Sequence, residues 1–137
     1  ACNVMRGLRL SYQEAQEMFR RVVFNVVVRN QDDHTKNISF LMDRQGRWHL
    51  SPAYDMAYAY NPNGAWTSAH QMSINGKFDA IIRADLLELA SRNNIRNAAQ
   101  IIDEVCNACA DWHRIARECD VPQVMIDQIL PNLQLKI

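Results

Sequence analysis

The chain has 137 residues, enough for one domain with a buried core and too few for two of ordinary size. Fifteen Lys and Arg residues balance fifteen Asp and Glu residues, so the broad basic face that nucleic-acid binding needs is not implied, and no direct nucleic-acid binding is expected. No window approaches the roughly 18 consecutive apolar residues that cross a bilayer, and no membrane association is expected.

The opening residues, ACNVMRGLRL, have no methionine at position 1 and no apolar signal-peptide core, so the chain reads as a single domain, 1–137, cut from something longer. Residues 11–29 predict a helix. Ser11 and Glu14 have the spacing of a capping box, and apolar residues recur at 15, 18, 19, 22, 23, 26 and 27. Residues 38–42 (ISFLM) and 47–50 (RWHL) predict two short strands around the turn DRQG, with Gly46 free to take a positive φ. Pro52 then forces an extended approach to Asp55.

From Tyr58 to about Ala80 the composition turns to Asn, Gly and Ser, which predicts a long loop. RADLLELASRN predicts a short amphipathic helix. The segment from Asn94 to Glu118 predicts one long helix with an apolar stripe at Ala98, Ile101, Ile102, Val105, Cys109, Trp112 and Ile115. A last helix has Asp120 as its expected cap, Pro122 near its first position and Pro131 at its end. The fold class is therefore α+β and mostly helical.

The cysteines are Cys2, Cys106, Cys109 and Cys119. Cys106, Cys109 and His113 fall on one face of the expected long helix, which is a zinc set on paper. It lacks a fourth ligand, and reduced, buried thiols in a cytoplasmic protein fit better.

The densest polar stretch is NQDDHTKNISFLMDRQGRWHLSPAYDM, residues 30–56. Asp32 precedes Asn37 by five residues, and Asp55 follows Asn37 by eighteen. A hairpin between them returns the chain nearly to where it left, so Asn37 and Asp55 can face one another. A loop Asp that accepts a hydroxyl proton, with an Asn and a second Asp offering hard oxygen ligands to magnesium, is the catalytic half of kinase-type phosphoryl transfer. Taken singly, each residue has a plainer reading, as a loop carboxylate, a turn former or a helix cap.

NQDDHTKNISFL followed by LSPAYDM resembles the HipA family of bacterial serine/threonine kinases, toxins of type II toxin–antitoxin systems. The family pattern D-x-H-x-K-N matches Asp32, His34, Lys36 and Asn37; the later segment matches Pro52, Tyr54 and Asp55. The resemblance implies a protein-kinase-like C-terminal lobe whose short β-hairpin carries the catalytic and metal loop. It implies Asp32 as catalytic base, Asn37 and Asp55 as ligands of magnesium and so of ATP, and Lys36 beside the transferring phosphate. His34 is expected to orient the loop, and Asp33 falls at the variable position. It further implies a protein substrate such as an aminoacyl-tRNA synthetase and a small DNA-binding antitoxin as partner. No Gly-rich phosphate loop precedes Asp32, so the nucleotide-binding N-terminal lobe lies outside these residues, and the chain alone should be inactive.

Trp66, His70, Met72 and Lys77 are candidate substrate contacts, with lid or core packing the plainer role for Trp66. Trp48 and Trp112 read as core. Two other functions compete: a metal-dependent phosphoester hydrolase built on Asp32, Asp33, His34 and Asp55, and a helical interaction module without catalysis.

Overall fold

The capping box at Ser11 forms. Ser11 Oγ accepts from the Glu14 amide at 3.3 Å, and Glu14 Oε2 accepts from the Ser11 amide at 2.8 Å. In the computed structural model, which describes residues 1–137, this box opens helix α2 (Tyr12–Val27), after a short α1 (Cys2–Gly7). One face of α2 buries Met18, Phe19, Val23, Val26 and Val27, as the helical spacing predicts. It packs against α4 (Ala98–Ala110) through Ile101, Ile102 and Val105. Leu86 and Ala90 of α3 (Arg83–Arg92), with Ile74, Ile81 and Ile95, complete the core. Each fully buried Val, Leu or Ile contributes about 1.5–3 kcal/mol.

Strands β1 (Phe40–Met42) and β2 (Trp48–Leu50) pair antiparallel, with Phe40 opposite Leu50, Leu41 opposite His49 and Met42 opposite Trp48. Both are shorter than expected. Gly46 takes φ 80° in the turn, as predicted. The Asp43 carboxylate organises that turn, accepting from the amides of Gln45 and Arg47 at 2.9 Å each. The Arg47 amide foremost holds its carboxyl well below the usual range.

Several expectations need correction. The helix from residue 11 stops at Val27, two residues early, because Arg29 enters the left-handed region at φ 53°. The expected long helix from Asn94 to Glu118 is two helices, α4 and α5 (Trp112–Glu118), separated at Asp111. The break rotates the apolar stripe, so Ile115 is 41% exposed and Ala116 is buried in its place. It also puts His113 on a different helix from Cys106 and Cys109. Burial pushes the Cys109 thiol up to about 11 and raises that of Cys106, the opposite of a metal thiolate. Asp120 is not the cap of the last helix, α6 (Gln123–Ile129); Pro122 stands there, and Asp120 ends α5 at φ 56°. A 3-10 turn over Leu130–Asn132 takes in Pro131. Trp48 is 40% exposed and is not core.

The stretch 58–80 is a loop with internal order. Asn75 (φ 52°) and Gly76 (φ 78°) form a tight turn bridged by Ile74 and Lys77, with amide-to-carbonyl bonds of 2.8 and 3.0 Å. Asp85 in the first turn of α3 fastens that turn. The Lys77 ammonium foremost, with the Ile82 amide and the Asn75 side chain, lowers its carboxyl to about 2.

Glu14 also holds the hairpin, its Oε1 accepting from the Leu50 amide at 2.9 Å. Burial pushes its carboxyl up, but Ser11, Leu50 and His49 outweigh that, and it lies below its ordinary value. Glu14→Ala is expected to cost about 2 kcal/mol in urea unfolding, since it removes a cap partner and strands the Leu50 amide. Because the folded pKa is depressed, Glu14's contribution is present above the ordinary glutamate value. It is lost as pH falls through the lowered one. The wild-type minus Glu14→Ala difference should therefore shrink on acidification; a constant difference would refute this.

Candidate functional site

The site begins where α2 ends. Val28 is the C-cap, Arg29 takes the left-handed conformation, the Arg29 amide donates to Val26 O (3.3 Å) and the Asn30 amide to Asn25 O (2.8 Å). This is a Schellman motif with arginine where glycine is usual, at a cost of about 1–2 kcal/mol. Arg29 is held by its own contacts: its Nε donates to Asn132 O at 2.9 Å, and its guanidinium lies 4.3 Å over the Tyr60 ring. The turn throws residues 30–37 off the end of the helix.

Along 30–33, three buried polar side chains surround one exposed carboxylate. Asn30 donates from Nδ2 to Asn25 Oδ1 (3.0 Å) and to Asp55 O (3.2 Å). Gln31 turns its amide nitrogen to the carbonyls of Thr67 (2.8 Å) and Ser68 (3.3 Å), the orientation those two acceptors require. Asp33 accepts from His70 Nδ1 (2.9 Å) and the Gln71 amide (2.7 Å). Asp32 alone is about half exposed, its side chain open to solvent.

The hairpin brings Asp55 back. Tyr54 Oη donates to Lys36 O at 2.8 Å, so the residue before Asp55 touches the residue before Asn37. Ser39 and Ser51 join the two arms, with a hydroxyl–hydroxyl bond of 2.9 Å and the Ser51 amide on Ser39 O at 3.0 Å. Asn37 Nδ2 donates to Asp32 O at 3.0 Å. Asp32, Asn37 and Asp55 are thus tied into one neighbourhood by bonds from Asn37, Tyr54 and Asn30. Asp55 takes φ 54°, a left-handed conformation that aspartate tolerates better than most residues, and Asn30 Nδ2 holds its carbonyl.

The donor set suits a hard cation. A carbonyl only accepts, so the bond to Asp32 O fixes which end of the Asn37 amide is nitrogen and leaves Oδ1 as the free end. Asp55 adds an exposed carboxylate. Two hard oxygen donors are of the type magnesium takes, and magnesium keeps much of its hydration. His34 Nε2 lies 3.8 Å from Asp32 Oδ1, beyond hydrogen-bond reach, while its Nδ1 is buried without a partner. Lys36 is exposed, held through its backbone.

Other candidates are placed differently from expectation. His70 is buried against Asp33 and is no surface contact; Lys77 is engaged by Asp85. Trp66 is neither core nor lid packing, being 76% exposed. Trp112 is half-buried, and its Nε1 is buried without a partner. Asp33, at the variable position of the family pattern, is an internal anchor. The four-residue hydrolase set thereby loses a ligand, and no three His, Cys, Asp or Glu side chains are grouped to hold a metal.

Asn30→Ala should destabilise the chain by about 1–3 kcal/mol in urea unfolding, because it strands the Asn25 and Asp55 acceptors. A loss under about 0.5 kcal/mol, typical of surface substitutions, would show that Asn30 does not brace Asp55.

Residues 1–113 match the family model described as HipA-like C-terminal domain. A protein described as "Putative kinase Y4dM", from Sinorhizobium fredii (strain NBRC 101917 / NGR234), is 32% identical over 87 residues. That match takes in 63% of this chain and 21% of the relative, so the chain spans about a fifth of the curated relative's length. No solved structure matches. No helix is long and apolar enough to cross a membrane. The matched residues include the whole of the polar loop, the hairpin and Asp55, and the chain belongs to the family of HipA-like C-terminal domains.

Proposed function

We propose that this chain carries the catalytic and metal-binding half of a serine/threonine protein kinase, which transfers the γ-phosphate of ATP to a protein hydroxyl. The observation that carries the reading is the hydrogen-bonded linkage of Asp32, Asn37 and Asp55 across the hairpin. Family membership and the kinase-described relative support it. Asp32 is the base. It is exposed at a fixed point of the loop, where it can accept the proton of an incoming hydroxyl as the oxygen attacks phosphorus. Asn37 Oδ1 and the Asp55 carboxylate are the magnesium ligands. Bound magnesium would neutralise charge on the ATP phosphates. Lys36, exposed beside Asn37, is placed to add positive charge near the transferring group. His34 lines the loop next to Asp32, its Nε2 3.8 Å from the carboxylate.

The wider biology follows from the HipA resemblance. It is a growth-arresting toxin in the cytoplasm, with a small DNA-binding antitoxin as partner and an aminoacyl-tRNA synthetase as substrate. The phosphate-loop lobe that the resemblance implies lies outside these residues.

The test uses the full gene product that contains this chain, with radiolabelled ATP, magnesium and a bacterial extract as acceptor. Asp32→Asn should lower labelling by about 10²- to 10⁴-fold and leave nucleotide affinity nearly intact. Asp55→Asn should also remove the magnesium-dependent part of nucleotide binding. The 137-residue chain alone should retain no more than a few per cent of the activity. Labelling by Asp32→Asn at the parent rate would sink the assignment of the base.

A further inference from the structure

Asp33 stands beside the proposed base but faces the opposite way. Its side chain is 4% exposed, and that of His70 is 2%. Three donors converge on this carboxylate: His70 Nδ1 at 2.9 Å, the Gln71 amide at 2.7 Å and, more weakly, the Met72 amide at 3.4 Å. A carboxylate only accepts, so His70 carries its proton on Nδ1. Its Nε2 is buried with no partner, so the ring gives its one strong contact to Asp33. Two residues earlier, Gln31 makes the matching contact with Thr67 and Ser68.

Gln31 and Asp33 are buried, whereas the Asp32 side chain between them is about half exposed. The exposed carboxylate and the backbone of 67–72 are therefore fastened to the same three residues. Nothing else of comparable burial fastens 67–72 to the loop. The remaining bonds there are local, such as Gln71 Nε2 to the Trp66 carbonyl, or lead to Phe78 O from the His70 amide at 2.8 Å. Trp66 stands exposed at the start of this segment.

We propose that Asp33 and His70 are a positioning pair. Together they hold residues 66–72 in register with Asp32, as the platform on which the hydroxyl-bearing polypeptide lies. The platform is ordered by an internal carboxylate. This role rests on the kinase reading above, and it predicts an effect on protein substrate that spares ATP.

The test compares Asp33→Ala, His70→Ala and His70→Asn in the full gene product. An Asn side chain places its Nδ2 donor near the position of the histidine Nδ1, so it should restore the bond that Ala removes. The first readout is amide hydrogen exchange. Asp33→Ala and His70→Ala should speed exchange across 66–72 by about tenfold or more, with α2 and α4 unchanged, and His70→Asn should stay near the parent. The second readout is kinetic, with the extract protein labelled fastest by the parent, once purified, as the probe. KM for that protein should rise about tenfold, with KM for ATP within about twofold.

Unchanged exchange in Asp33→Ala overturns the pair. Faster exchange with an unmoved protein KM overturns its role toward substrate. If Asp33→Ala loses protection throughout the chain, the His70→Ala and His70→Asn comparison decides. If the parent labels no protein, the kinase reading fails, and with it the substrate role; the exchange arm still shows whether the pair orders the segment.

Discussion

The arrangement depends on the burial of uncharged and charged hydrogen-bonding groups on both sides of one exposed carboxylate. Asn30, Gln31 and Asp33 are all taken from water, and an unpaired polar group so placed costs about 1–3 kcal/mol. Each must therefore find a partner, and the partners come from three separate stretches: Asn25, Asp55 and Thr67–Met72. The demand for satisfied hydrogen bonds does here what a hydrophobic core does elsewhere. It converts four consecutive residues into a fixed point around which the hairpin and the long loop are arranged. Charge placement follows, since the two carboxylates at 32 and 33 are separated by facing solvent and interior.

Helix endings in this chain obey one rule with unusual residues. Arg9, Arg29, Asn94 and Asp120 each take a positive φ just after α1, α2, α3 and α5, and in each case the next residue's amide reaches back five residues to a helical carbonyl. Asn and Asp tolerate that conformation better than most residues, and Arg29 is compensated by its contacts with Asn132 and Tyr60. With only four glycines in the chain, the usual mark of such an ending is missing.

That explains what could be read in advance and what could not. The Ser11–Glu14 box, the α2 apolar face and the hairpin turn at Gly46 are local signals, and each formed. The hairpin between Asn37 and Asp55 was legible because two short apolar runs flank a turn with a glycine. The end of α2 was not, because nothing local distinguishes Arg29 from any surface arginine. Nor did the 94–118 stripe betray its break: Asp111 serves both helices, as C-cap of α4 and N-cap of α5, and apolar periodicity runs nearly undisturbed across it. The inward turn of Asp33 was hidden for a deeper reason. Its partner is thirty-seven residues away, and two adjacent aspartates look identical until tertiary contacts divide them. The Asn75–Gly76 turn had a readable signature that the loop's polar composition masked.

The joint at Arg29 has a temporal side. Its guanidinium is held by the Asn132 carbonyl, and the Gln134 amide donates to the carbonyl of Val27, two residues before it, at 2.8 Å. A ribosome makes the polar loop roughly a hundred residues before it makes those partners, some 5–20 seconds earlier at ordinary elongation rates. The nascent chain therefore holds its polar loop on a helix end that lacks the Asn132 and Gln134 contacts until nearly the last of these residues emerges.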